Sequence, residues 1–256
     1  MARDRDRLAG KVGIVTGGGR SLGLAFAGAL AAEGAAVVFA DIDGACEAAA
    51  ELAAAHGVEA VSVATDVSQE DQVARLAEEA MARFGRIDVL VNNAALFARM
   101  PLKPYDAIEV ELWDRVMAVN VRGAFLTAKH VAPHMVRAGS GKIVNIGSGT
   151  AYKGMPEMLA YVTSKAAILG LTRALARELG PHGISVNTLA PGLTESPSLK
   201  ENPHHLAFSD RVVQSRAMPR RAVPEDLLGA LVFLASPDSD FITGQTIAVD
   251  GGSVML

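Results

Sequence analysis

Tyr161 and Lys165, in the stretch YVTSK, stand four residues apart. That spacing puts two side chains on one face of a helix. Thirteen residues upstream, Ser148 closes the run KIVNIGS. It falls at the carboxyl end of a strand-like segment, where open α/β sheets hold their ligands. A free phenol ionises at about pH 10 and is a poor base near neutrality, but a neighbouring ammonium lowers that value. The expected chemistry is proton exchange between Tyr161 and an alcohol or ketone oxygen. Ser148 would hydrogen-bond the same oxygen as charge develops on it. Each feature alone is weak, since Y-x-x-x-K is a common exposed helix pair and a serine after a strand is a common turn residue.

The loop TGGGRSLG, from Thr16 to Gly23, lies between the apolar run VGIV and the alanine-rich LAFAGALAAEGA. Glycines between a strand and a helix bring backbone N–H groups and the helix dipole to a phosphate. The loop is not G-x-G-x-x-G, because Leu22 occupies the third glycine position. It is not a P-loop either, because Leu24 stands where that motif has lysine, and this excludes phosphotransfer of that type. A ligand-free turn remains the alternative for the loop alone. The next strand, AAVVFADID, ends at Asp41, eighteen residues after Gly23. A carboxylate there can accept both adenosine-ribose hydroxyls and would repel a 2′-phosphate, so NAD is expected and NADP disfavoured. Asp43 is assigned to the following turn. Arg20 is a counter-signal, since a basic residue here could meet a 2′-phosphate; a solvated loop charge is the alternative. Ser21 is expected to take ordinary helical or extended angles and to cap the helix or face the cofactor. A positive φ would cost a non-glycine residue about 1–2 kcal/mol.

The elements that must position these residues read as alternating short β-branched runs and longer helical periods. Strands are expected at Val12–Val15, Ala36–Ala40, Ala60–Ala64, Val89–Val91, Lys142–Ile146, Ser185–Leu189 and Ile247–Val249. Helices are expected near 22–33, 44–55, 69–84, 109–138, 157–179 and 224–235, with Ser68 capping the third and Pro133 kinking or ending the fourth. The strands are nearly continuous apolar runs, the mark of strands covered on both faces. The fold class is α/β: one Rossmann-type domain over 1–256, a doubly wound parallel β-sheet of about seven strands flanked by helices. Residues 1–8 read as a flexible tail. The stretch from Pro191 to about 223 reads as an irregular substrate-binding lid.

A net charge of −4 is no footprint for a nucleic-acid partner. No apolar run reaches the length of a membrane span, and the charged N-terminus is no signal peptide, so a cytoplasmic enzyme is expected. The single cysteine, Cys46, excludes an internal disulfide and is expected to be structural. His130 and His134 stand at i and i+4, but no third ligand accompanies them, so no metal site is expected.

The motifs occur in one order along the chain. TGGGRSLG matches T-G-x-x-x-G-x-G except at Ser21. Asp66-Val67 resembles an adenine-contacting pair, and Asn92-Asn93-Ala94-Ala95 resembles N-N-A-G with Ala95 in place of glycine. Asn120 follows in MAVNV, then Ser148, Tyr161 and Lys165. Asn187 with Pro191-Gly192 fits N-x-x-x-P-G, and FITGQTIAVDGG closes the set. From about Leu8 to Gly252 the chain resembles the short-chain dehydrogenase/reductases with subunits of about 250 residues. The resemblance implies a catalytic tetrad of Asn120, Ser148, Tyr161 and Lys165. Asn120 would position a proton-relay water beside the lysine, and Lys165 would also bind the nicotinamide ribose. The cofactor is expected against Gly17, Gly19, Arg20, Ser21, Leu22 and Gly23 at the loop, and Asp41, Ile42, Asp66 and Val67 at the adenosine. It is further expected against Asn93, Ala94 and Ala95, then Pro191, Gly192, Leu193 and Thr194 near the carboxamide, with Tyr161 and Lys165. Members of the family are commonly homotetramers, assembled through the two long helices and the C-terminal segment.

The expected substrate is a small secondary alcohol or its ketone. Its pocket is expected to be walled by Phe97, Gly149, Met155, Met158, Leu159, Leu193, Leu199 and Phe208. The lid resembles that of pyridoxal 4-dehydrogenase-type members, and the tail that of 1-phenylethanol dehydrogenase-type members. Both resemblances imply an aromatic or cyclic alcohol. A non-catalytic NAD-binding or regulatory protein is the alternative from another class.

Overall fold

Successive residues of each central strand enter opposite cores, which is why the strand sequences show no polar alternation. Val37 and Phe39 pack with Phe26 and Leu30 on one side of the sheet. Val38 and Ala40 pack with Leu76 and Val131 on the other. This is the side-chain period of 2 acting between two helical layers. The computed structural model describes residues 6–98, 100–197 and 203–255, with side chains throughout except at 203–208.

The elements follow as β1 (Val12–Thr16), α1 (Ser21–Ala32), β2 (Ala36–Asp41), α2 (Cys46–His56), β3 (Ala60–Ala64), α3 (Glu70–Phe84) and β4 (Val89–Asn92). Then come α4 (Val110–Met117), a π-helical turn (Ala118–Arg122), α5 (Gly123–Ala138), β5 (Gly141–Ile146), α6 (Thr150–Lys153) and α7 (Leu159–Leu179). The chain continues with β6 (Ile184–Pro191), α8 (Pro203–Gln214), α9 (Glu225–Ala235) and β7 (Thr246–Val249). The seven strands lie in the order β3-β2-β1-β4-β5-β6-β7, every pairing parallel. The order reverses between β1 and β4. That opens a crevice at the carboxyl ends of the strands, where doubly wound sheets bind ligands. Helices α1, α2 and α9 cover one face. Helices α3, α5 and α7 cover the other.

Several expectations need correction. The segment 109–138 is two α-helices joined by the π-helical turn. Pro133 does not end the second, which runs on to Ala138 with Val131, Ala132 and Met135 buried around it. Packing there outweighs the lost N–H bond. The lid contains a helix, α8, rather than irregular chain alone. The flexible tail does not extend through residues 7 and 8. Leu8 is buried, its N–H donates to the Glu33 carbonyl at 2.9 Å, and Arg7 pairs with Glu33. Residues 1–5 lie outside the described residues. Cys46, expected to be structural, is exposed at the start of α2. Ser68 does not cap α3; its hydroxyl donates to Asp66 Oδ1 at 2.7 Å.

A chain of buried polar side chains crosses the sheet. Thr127 Oγ1 on α5 donates to Asn92 Oδ1 on β4 at 2.6 Å. Asn92 Nδ2 donates to Asn145 Oδ1 on β5 at 2.9 Å, and Asn145 Nδ2 to Thr172 Oγ1 on α7 at 2.9 Å. Thr172 and Thr188 of β6 share a hydrogen bond of 2.8 Å. All five residues are buried. Asn145→Ala removes the short bonds to the Asn92 amide and the Thr172 hydroxyl and breaks the chain in a place away from water. It should destabilise the protein by about 2–5 kcal/mol, read from the urea midpoint at constant slope.

Candidate active site

Two strands hold Ser148 in place. The Gly147 N–H donates to the Leu189 carbonyl at 2.8 Å and the Gly149 N–H to the Pro191 carbonyl at 3.0 Å, which extends the β5–β6 ladder past Ile146. Ser148 Oγ accepts from the Thr150 N–H at 3.2 Å and from Thr150 Oγ1 at 2.9 Å. With both acceptor directions used, the serine hydrogen is left to donate. Tyr161 lies across the gap on α7, near enough for Ser148 to favour its ionisation. Tyr161 and Lys165 share one face of α7, and both are buried. Lys165 Nζ donates to the Ile146 carbonyl at 2.7 Å and lies 5.7 Å from the Tyr161 ring centroid. Phe97 packs on the other side of that ring, centroids 4.8 Å apart.

The expected lowering of the Tyr161 ionisation does not occur in the protein alone. Burial pushes the phenol up to about 12, and the nearby Ser148 hydroxyl offsets only part of that. Burial also brings Lys165 down to about 8. The spacing argument assumed a solvated ammonium, but both groups occupy one dry wall, where each charged form loses hydration. Asn120 is tied to two other segments of the chain. It sits on the π-helical turn, buried, with Oδ1 accepting from the Leu96 N–H at 2.7 Å. Its Nδ2 donates to Ser164 Oγ at 3.0 Å and to the Leu96 carbonyl at 3.3 Å. Ser164 Oγ in turn donates to the Tyr161 carbonyl at 2.7 Å. The side chain thus braces the loop after β4 against α7.

A cavity of about 860 Å³ runs from this site to the glycine loop. Gly17, Arg20, Ser21, Leu22 and Gly23 line one end with Asp41, Ile42, Asp66 and Val67. Asn93, Ala94 and Ala95 line the middle, and Pro191, Gly192, Leu193 and Thr194 flank Ser148, Tyr161 and Lys165. Gly19 stands behind the wall, its N–H donating to Asp41 Oδ2 at 3.0 Å and so aiming that carboxylate. Asn93 ties the loop to β4, its Nδ2 donating to the carbonyls of Thr16 at 2.9 Å and Gly17 at 3.1 Å. A Cβ on Gly23 would sit 1.9 Å from the Gly17 carbonyl oxygen, so only glycine fits there. Ser21 contradicts its expectation: it opens α1 with φ 52°, in the left-handed region. It occupies the position where the motif has glycine, and the turn imposes the conformation whatever the residue.

Of the expected substrate wall, Phe97, Gly149, Met155, Met158 and Leu193 line the cavity. Leu159 does not: it is 44% exposed on the outer face of α7, two residues from Tyr161 and so turned away from it. Leu199 lies outside the described residues, as does the side chain of Phe208. Among the described residues no group of three or more His, Cys, Asp or Glu could hold a metal ion. His130 meets Glu70, and His134 meets Arg137, on the surface.

A family model described as Enoyl-(Acyl carrier protein) reductase matches residues 17–254. Galactitol 2-dehydrogenase of Agrobacterium fabrum (strain C58) is 40% identical over 260 residues, covering 97% of this chain and 99% of that protein. Cis-4-hydroxycyclohexanecarboxylate dehydrogenase of Sinomonas cyclohexanicum is 39% identical over 248 residues, covering 96% and 98%. The crystal structure of an NAD+-bound xylitol dehydrogenase superposes with a TM-score of 0.89 at 34% identity, covering 96% of this chain and 99% of that one. The chain belongs to the short-chain dehydrogenase/reductase family.

Within that family it is an alcohol dehydrogenase with a nicotinamide cofactor. The chain's own geometry fits such a cofactor: Gly17, at φ 61°, and Gly23 leave the backbone bare at the head of α1. Among the described residues no helix is long and apolar enough to cross a membrane.

Several residues around the site escape sequence reasoning. Met100, Leu112, Arg115, Lys153, Ser196 and Val212 line the cavity from positions that belong to no motif. Arg216 is buried and donates to the carbonyls of Leu193 at 2.7 Å and Arg220 at 2.6 Å, so it pins the loop after β6. Burial lowers its ionisation, which the nearby Asp250 opposes. In sequence Arg216 is one more lid charge; the Pro219-Arg220-Arg221 run beside it hides the signal.

Lys165 makes a pH test of the buried wall. Its ionisation is lowered from 10.5 to about 8. Between those values the unfolded chain binds a proton that the folded chain does not, so the Lys165 contribution makes stability rise with pH. Below about 8 the folded protein carries the buried ammonium at its full cost. Lys165→Met should therefore be more stable than the parent at pH 7, by up to about 3 kcal/mol. The gap should close as the pH passes from 8 to 10.5, in urea unfolding followed across that range.

Proposed function

We propose that the protein is an NAD-dependent dehydrogenase of a small secondary alcohol with an apolar, cyclic or aromatic body, acting reversibly on the corresponding ketone. The observation that carries this reading is the convergence of Ser148 and Tyr161 on one cavity, with Lys165 buried behind the ring. When bound, the nicotinamide accepts or supplies the hydride. Ser148 has its lone pairs engaged by Thr150, so it donates to the substrate oxygen and holds it beside Tyr161. Tyr161, kept protonated by burial, donates its proton to a carbonyl oxygen in reduction. In oxidation it takes the proton back as a phenolate, which the Lys165 ammonium stabilises. Asn120 is a positioning residue, acting through Leu96 and Ser164.

NAD rather than NADP is supported by Asp41, which Gly19 aims at the edge of the cavity. A 2′-phosphate there would put two anions together in a half-buried place. Two relatives are named for the polyols galactitol and xylitol. The apolar wall here, with Phe97, Met100, Leu112, Met155 and Met158, offers a polyol few hydrogen-bond partners. The relative named for a hydroxycyclohexanecarboxylate is the better guide to substrate shape. Phe125 and Leu159, exposed on the two long helices, support homotetramer assembly.

Tyr161→Phe keeps the ring but loses the transferable proton. It should lower kcat by about 10²–10⁴-fold with cofactor affinity unchanged, followed as NADH formation from cyclic and aromatic secondary alcohols. Unchanged turnover would sink the mechanism. Tight NAD binding without turnover of any alcohol or ketone in a broad panel would favour a non-catalytic, regulatory protein instead. Asp41→Ala should cut the NAD-over-NADP ratio of kcat/KM by about tenfold or more, since it removes both the ribose acceptor and the repulsion.

A further inference from the structure

The charged side chains lining the cavity are unevenly distributed. Both of its carboxylates, Asp41 and Asp66, follow β2 and β3 at the nucleotide end. The part nearer Ser148 is bounded by Phe97, Met100, Leu112, Met155 and Met158. Its charged members among the described residues, Lys165 apart, are Arg115 and Lys153. Arg115 lies one turn after Leu112 on α4, and Leu112 packs with the Met100–Met158–Tyr161 cluster. Lys153 ends α6, the helix that begins two residues after Ser148. Its Nζ donates to the Ser253 hydroxyl at 2.5 Å, a neutral partner. Among the described residues neither cation meets a carboxylate, whereas Lys103 and Lys129 on neighbouring surfaces do. Asp250, near Ser148, lies outside the cavity lining; its Oδ1 accepts from the Gly252 and Ser253 N–H groups, and its Oδ2 is buried without a hydrogen-bond partner among the described residues.

An apolar chamber whose charged groups, among the described residues, are positive complements a molecule with an apolar body and an anionic tail. Resting on the dehydrogenase reading above, we infer that the substrate is a hydroxy acid: a cyclic or aromatic secondary alcohol carrying a carboxylate. The hydroxyl meets Ser148 and Tyr161, the ring lies against Phe97 and Met155, and the carboxylate meets Lys153 and Arg115. Both cations are solvent-exposed, so their contribution is one of selection, modest in size and sensitive to salt.

The test uses matched pairs that differ only in charge. One pair is 4-hydroxycyclohexanecarboxylate and its carboxamide; the other is 4-(1-hydroxyethyl)benzoate and its benzamide. Cyclohexanol and 1-phenylethanol are the uncharged references. The carboxylate of a turned-over pair should be preferred by about tenfold or more in kcat/KM, mainly through KM, which is about 1.4 kcal/mol. The preference should shrink at high ionic strength and fall to about threefold or less in Lys153→Met with Arg115→Met, the amide serving as internal control in each variant. An amide used as well as its acid, or a preference untouched by both substitutions, overturns the inference. So does turnover of the uncharged references when both acids are refused, and that outcome leaves the dehydrogenase reading intact. Turnover of none of the six compounds or of any other alcohol removes the reading on which the inference rests.

Discussion

The active site depends on the buried hydrogen-bond chain from Thr127 through Asn92, Asn145 and Thr172 to Thr188. The chemistry needs Ser148, which follows β5, to face Tyr161 and Lys165 on α7. Apolar packing alone holds a helix on a sheet but lets it slide by fractions of an ångström at small cost. Directional bonds between amide and hydroxyl groups in a dry interior do not, because each slipped register leaves a buried group unpaired. The chain fastens α7 to β5 and β6, and α5 to β4. The Asn120 brace extends the same logic to the loop after β4 and to the first turns of α7.

The nucleotide end obeys a different constraint, the close approach of backbone to backbone. Gly23 lies so near the Gly17 carbonyl that no side chain fits, and Asn93 clamps that same carbonyl from β4. The loop is therefore shaped before any ligand arrives, with its N–H groups presented at the head of α1. Ser21 accepts a left-handed backbone as a consequence. The surrounding contacts over-determine the turn, and a serine at a glycine position pays the local cost.

Burial gives the two titratable groups at the chemical end their character. The wall that excludes water keeps Tyr161 protonated far above neutrality and weakens the charge on Lys165. The pair is thus balanced against hydration rather than simply attracted, and small changes in what occupies the cavity shift the proton between its possible holders. The two long helices serve this wall twice, by closing it from behind and by presenting Phe125 and Leu159 outward.

Local rules determined much of this protein. Continuous apolar runs of strand length, alternating with helical periods, specified seven parallel strands to within one or two residues, because the period of 2 and the period of 3.6 leave different traces in sequence. The order of the motifs identified the family, and the i, i+4 spacing brought Tyr161 and Lys165 to one face of α7. Other features arise only from contacts between segments far apart in the chain. The π-helical turn at Asn120, the left-handed Ser21 and the helix inside the lid have no local signature strong enough to read. Leu159 sits on the right helix but the wrong face, which only the packing of α7 decides. The roles of Arg216, Arg115 and Lys153 depend on what lies opposite each side chain in space, and charge alone does not carry that information. The Tyr161 ionisation was misjudged for the same reason: spacing reports a neighbour, whereas hydration is a property of the whole enclosing wall.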